Sequence, residues 1–114
     1  MQPDLRDAGY LADMLRFSRE AIAIATDAGG EVDLRSGRAL ERTISLIGEA
    51  ANHVSRDFQA AHPEIPWSDI IGQRHWLVHG YREIQWARLL EVVETHLPEL
   101  IRQLGDLVPP VPES

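Results

Sequence analysis

Apolar residues recur at steps of three and four through most of the chain, and no stretch alternates with period two, so the pattern predicts helices and no sheet. The first helix is predicted from Asp4 to Ala28, with Leu11, Met14, Leu15, Ser18, Ile22 and Ala25 along one stripe. Gly29-Gly30 ends it, because glycine enters the left-handed conformation that closes a helix. Asp33 is placed to cap a second helix, whose Leu40, Ile44, Ile47, Ala51, Val54 and Phe58 keep helical register. His62-Pro63-Glu64-Ile65-Pro66 interrupts the pattern, since each proline lacks an amide proton and turns its predecessor away from helical geometry. A third, shorter helix opens at Trp67 or Ser68 and carries Ile70, Ile71, Leu77 and Val78 toward His79, with Gly80 suited to the position just past its end. The fourth begins near Gln85, and Trp86, Leu89, Leu90, Val93, Leu97, Leu100, Ile101 and Leu104 give it a broad apolar face that Pro98 bends or restarts.

Four main helices joined by short connections predict an all-α fold, an up-and-down helical bundle. Residues 1–105 are expected to form one domain, and 106–114, ending in Pro109-Pro110-Val111-Pro112-Glu113-Ser114, an extended or disordered tail. Gly48, Ala50 and Ala51, midway along the second helix, let another helix approach closely, either inside the bundle or across a dimer seam.

Composition narrows the function. A chain of 114 residues buries a modest single core, and without cysteine it has neither disulfides nor thiolate metal sites. The amino terminus lacks the basic-then-apolar pattern of a secretory signal, and no apolar run approaches the roughly 20 residues needed to span a bilayer, so a cytoplasmic protein is expected. Eleven cations, all arginine, face eighteen carboxylates for a net charge of −7. Such a chain is a poor general binder of nucleic acid, because non-specific affinity comes from neutralising phosphates and releasing counterions. Any RNA chemistry has to be local. Gly72 to Arg88 is where it fits, with three arginines and two histidines against one glutamate.

Within that stretch stand Arg74, His75, His79 and Tyr81. A guanidinium stays charged and forks onto phosphate oxygens, while imidazole titrates near neutrality and can take or give a proton during turnover. On an uninterrupted helix, positions five apart lie about 140° from one another, so Arg74 and His79 converge only if the helix ends at His79 or a second protomer supplies part of the site. Both arrangements fit a two-fold dimer. A plainer reading stands beside this one. Arg74 then pairs with a carboxylate such as Glu49, His79 ends a helix where the dipole favours a cation, and Tyr81 is a core aromatic whose hydroxyl finds a partner. His75 and His79 share a helical face, but His-Trp-Leu-Val-His lacks the glutamate of the metalloprotease motif and His53, His62 and His96 are scattered, so no metal site is expected. There is no nucleophile elbow, phosphate-cradling glycine loop or recognisable pair of acidic catalysts.

Ile47-Gly48-Glu49-Ala50-Ala51, then His62-Pro63-Glu64-Ile65-Pro66-Trp67-Ser68-Asp69-Ile70-Ile71-Gly72-Gln73-Arg74 and Leu77-Val78-His79-Gly80-Tyr81, together resemble HEPN-domain proteins of the HepT-like toxin group. The likeness runs from about Leu11 to Leu104, and the group's defining element, arginine, four residues, histidine, one residue, tyrosine, is matched by Arg74, His79 and Tyr81, with polar His75 directly after the arginine. The resemblance implies a homodimeric helical bundle acting on RNA as a metal-independent endoribonuclease toxin with no cofactor. It also implies a nucleotidyltransferase antitoxin of the minimal type, which neutralises the toxin by attaching AMP to the motif tyrosine. Carried onto this chain, Arg74 and His79 are expected to be catalytic and Tyr81 to be the AMPylated residue. The chemistry of the cluster adds His75 as a substrate-orienting or auxiliary acid. A rival expectation is a non-catalytic HEPN module that docks a nucleotidyltransferase or binds a nucleotide, its arginine and histidine serving structure.

Overall fold

In the computed structural model the described residues are 2–72 and 82–108, the side chains of 82–85 excepted. All regular structure among them is helical, as the hydrophobic period predicts. Helix α1 spans Leu5–Ala28. Asp4 caps it, its carboxylate accepting from the Asp7 amide at 2.7 Å, and Gly29 closes it with φ at 64°, a backbone state costly for any residue with a side chain. Helix α2 spans Leu34–His53 behind the predicted Asp33 cap. Ser36 returns a hydroxyl contact to the Asp33 amide, so two otherwise unpaired donors are satisfied reciprocally. The Ser36 amide and hydroxyl hold the Asp33 carboxyl below the usual carboxylate range.

The second helix is shorter than its apolar register predicts. It stops at His53, Val54 is extended, and Phe58 belongs to a separate short helix, α3, Arg56–Ala61. The cause lies far away in sequence. Asp7, buried on α1, accepts from the Ser55 amide at 2.9 Å and from the Ser55 hydroxyl at 2.6 Å. Continuing α2 would require that amide for the Ala51 carbonyl, which is served instead by the Val54 amide and the Gln59 side chain. Ser55 then caps α3 by accepting from the Phe58 amide.

After the Pro63–Pro66 turn the chain is helical again from residue 67 to the edge of the described stretch at 72, here called α4. Helix α5, Arg82–Glu91, is already helical three residues before the predicted start at Gln85. A π-helical turn, Val92–His96, leads into α6, Leu97–Gly105. The interruption expected at Pro98 thus falls in the turn before it. Pro98 has no amide to offer, and the Leu97 amide reaches five residues back to Val92, widening the helix by one residue ahead of the ring.

Helix α1 packs against α2 and α6, and α5 against α2 and the π turn. Their shared core holds Leu11, Met14, Leu40, Ile44, Phe58, Leu89 and Leu104, each fully buried. Burying Gly48, Ala50 and Ala51 within the single chain assigns these small residues to internal packing. Leu107 and Val108 still lie against the core after Gly105; residues 109–114, where an extended tail is expected, are outside the described residues. Among the described residues no helix is long and apolar enough to cross a membrane.

Candidate functional site

Arg74, His75, His79 and Tyr81 all lie outside the described residues, in the stretch 73–81. What the structure does define is the frame on either side of that stretch. On the entering side α4 is seated by Trp67 and Ile70, both buried. The Trp67 indole N–H donates to the His62 carbonyl at 2.9 Å, and its ring meets the edge of Phe58 at a centroid distance of 6.4 Å. The Ile70 amide donates to the Pro66 carbonyl, so Pro66 sits at the opening of the helix, where its missing amide costs nothing.

On the returning side the fixed point is Trp86. Its indole N–H donates to Glu41 Oε1 of α2 at 2.8 Å. The ring lies so close over Gly37 that a Cβ built there would stand 2.2 Å from Trp86 Cε2. Glycine in a helix interior opposes helix formation relative to alanine, and here the gain is contact between α2 and α5. Sequence reading placed Trp86 on the apolar face of its helix but not on Gly37; a glycine inside an otherwise regular helical pattern was the available signal. The nine residues 73–81 are therefore bounded by two tryptophan anchors, one on each side.

The remaining histidines do not gather. His53 stacks on Tyr10 with ring centroids 4.9 Å apart, His62 approaches Glu64 at 3.0 Å, and His96 lies in the π turn. Among the described residues no three histidine, aspartate or glutamate side chains could jointly hold a metal ion. Among the concave regions of the described residues, two bear on the site. An open groove of about 690 Å³ at the α1–α2 turn is walled by Asp27, Glu31 and Asp33 together with Arg35. A smaller cavity of about 300 Å³ lies between Ile47 of α2, Ile70 of α4 and the π turn, with His96 and Thr95 at its wall.

With that geometry in place, comparison with known proteins is informative. The family model described as "Ribonuclease HepT-like" matches residues 11–107. A Thermococcus cleftensis protein named "Probable ribonuclease HepT" is 30% identical over 95 residues, 77% of this chain and 86% of that protein. A Methanocaldococcus jannaschii protein named "Putative RNase MJ1380" is 26% identical over 98 residues, 83% of this chain and 90% of the relative. A third, "Putative RNase TTE0752" of Caldanaerobacter subterraneus subsp. tengcongensis, is 31% identical over 71 residues, 62% of this chain, and the match spans only 63% of that protein. No solved structure matches the chain.

Proposed function

The chain belongs to the HepT-like ribonuclease family, and we propose on that premise that it is a metal-independent endoribonuclease toxin, active as a homodimer and using Arg74 and His79 on RNA. One observation carries the reading: the matched span, residues 11–107, contains Arg74, His79 and Tyr81 at the spacing of arginine, four residues, histidine, one residue, tyrosine.

RNA supplies its own nucleophile. The 2′-hydroxyl attacks the adjacent phosphorus, a 2′-oxygen–phosphorus bond forms, and the bond to the 5′-oxygen breaks, leaving a 2′,3′-cyclic phosphate and a 5′-hydroxyl. The enzyme has to remove one proton, stabilise the extra negative charge, and protonate the leaving oxygen. His79 fills the proton-transfer role, because imidazole is divided between its two forms near neutral pH. Arg74 forks onto the pentacoordinate phosphate, and His75 orients the strand or protonates the leaving oxygen. Tyr81 is the site at which a cognate nucleotidyltransferase antitoxin attaches AMP. The added phosphate and nucleoside bring negative charge and bulk against incoming RNA, so inhibition needs no refolding.

Growth inhibition on expression tests both halves of the assignment. His79→Ala should lose toxicity and RNA cleavage with helix content unchanged; a variant that stays toxic removes His79 from the mechanism. Tyr81→Phe should remain toxic in the presence of the antitoxin, whereas equal neutralisation would mean inhibition by binding alone.

A further inference from the structure

We propose that Arg35, Arg38 and Arg42 on α2 form a phosphate-binding ridge that holds the RNA strand alongside the segment returning through α5. All three are exposed. At 100° per residue they fall within about 60° of arc and span about 10 Å along the axis, on the side of α2 turned away from Leu40 and Ile44. No carboxylate of a described residue is within ion-pair distance of any of them. The two nearest acids on the same helix are occupied: Asp33 accepts from Ser36, and Glu41 accepts from Trp86. Exposed Glu49 marks where the run ends.

The Asp33 carboxylate attracts Arg35 at the start of the helix, but neither Arg38 nor Arg42 has an ion-pair partner among the described residues. Helices α1, α3 and α6 each carry an acid in the first turn, Asp7, Asp57 and Glu99, whereas α2 has none and places Arg35 there, against the positive end of its dipole. Arg38 and Arg42, four apart, repel each other along the helix. Local choices that oppose stability without a compensating contact are the mark of a functional surface. In a chain of net charge −7 that acts on a polyanion, a local cationic row is also what counters long-range repulsion. The row is placed for that task. Trp86, five positions after Tyr81, sits on the neighbouring flank of α2, on Glu41, about 60° round the helix from Arg38, and on Gly37, about 100° from it. Leu34 is the one large apolar side chain exposed nearby among the described residues, too little for the apolar centre on which protein interfaces are built.

The inference rests on the reading of the chain as an RNA-cleaving enzyme, and the experiment separates the two. Binding of a fluorescein-labelled single-stranded RNA is followed by anisotropy in a His79→Ala background across a salt series, with and without Arg35→Gln, Arg38→Gln and Arg42→Gln combined. Three lost phosphate contacts should raise the dissociation constant about tenfold or more at low salt and flatten the slope of log affinity against log salt by about 2. The corresponding Arg→Lys triple variant should keep most of the slope, and thermal unfolding should show every variant folded. In the cleaving enzyme the glutamine variant should raise KM with kcat unchanged, since ridge contacts are the same before and during the reaction. Unchanged affinity and slope would overturn the ridge even if the wild type cleaves RNA. Unchanged RNA binding with lost binding to the antitoxin would assign the ridge to that protein instead. Salt-dependent binding through the ridge by a chain that cleaves nothing would keep the ridge and sink the nuclease.

Discussion

Asp7 shows how one side chain decides an element boundary. At 3% exposure it is the most thoroughly buried carboxylate among the described residues, and both its oxygens are given to Ser55, one to the amide and one to the hydroxyl. Removing it breaks both hydrogen bonds to Ser55 at the junction of α2 and α3, at about 0.5–1.5 kcal/mol each, or about 1–3 kcal/mol together. Asp7→Ala should therefore lower unfolding stability in urea by that amount, and Ser55→Ala by a comparable amount, because its hydroxyl both donates to Asp7 and caps α3. A double-mutant cycle should return a coupling of about 0.5–3 kcal/mol. Strictly additive effects would mean that the two residues do not hold each other.

Between elements, the contact of Trp86 with Gly37 ties α5 to α2. Gly37→Ala adds a methyl into a rigid indole ring that cannot swing aside without surrendering its hydrogen bond to Glu41. Helix propensity favours the alanine by about 1 kcal/mol, while overpacking costs about 1–3 kcal/mol and the lost hydrogen bond about 0.5–1.5 kcal/mol. The variant should be less stable by about 1–3 kcal/mol on balance, with a changed tryptophan emission; equal or greater stability would show that the ring does not rest there. The helices themselves were legible in the sequence wherever the signal is local. Asp33 and Gly29 bound their helices as their residue types predict, and the proline turn falls where the prolines are. The break at Val54 was not legible, because Val54 and Phe58 keep perfect apolar register and the competing acceptor is 48 residues away. At Pro98 the disturbance was legible but its form was not, since a π turn upstream and a kink at the ring satisfy the same missing amide.

At the scale of the whole molecule, α2 of an acidic helical bundle presents an arginine row, and the sequence sets Arg74, His75, His79 and Tyr81 between the two tryptophan anchors. The composition of that cluster was legible in the sequence, because arginine, histidine and tyrosine at fixed spacing carry their chemistry with them. Their mutual placement was not legible, since residues five apart on a helix diverge unless a helix end or a second protomer reunites them, and they lie outside the described residues. The α2 row was not legible for a different reason: three arginines among eleven stand out only where the fold leaves them exposed on one face with no ion-pair partner among the described residues. The most direct test of the account is the chemistry of the cut ends. Single-stranded RNA incubated with the purified protein in excess EDTA should yield fragments with 2′,3′-cyclic phosphate and 5′-hydroxyl termini, and none with Arg74→Ala or His79→Ala. Cleavage that stops when metal is chelated, or that leaves 3′-hydroxyl ends, or that survives both substitutions, would contradict it.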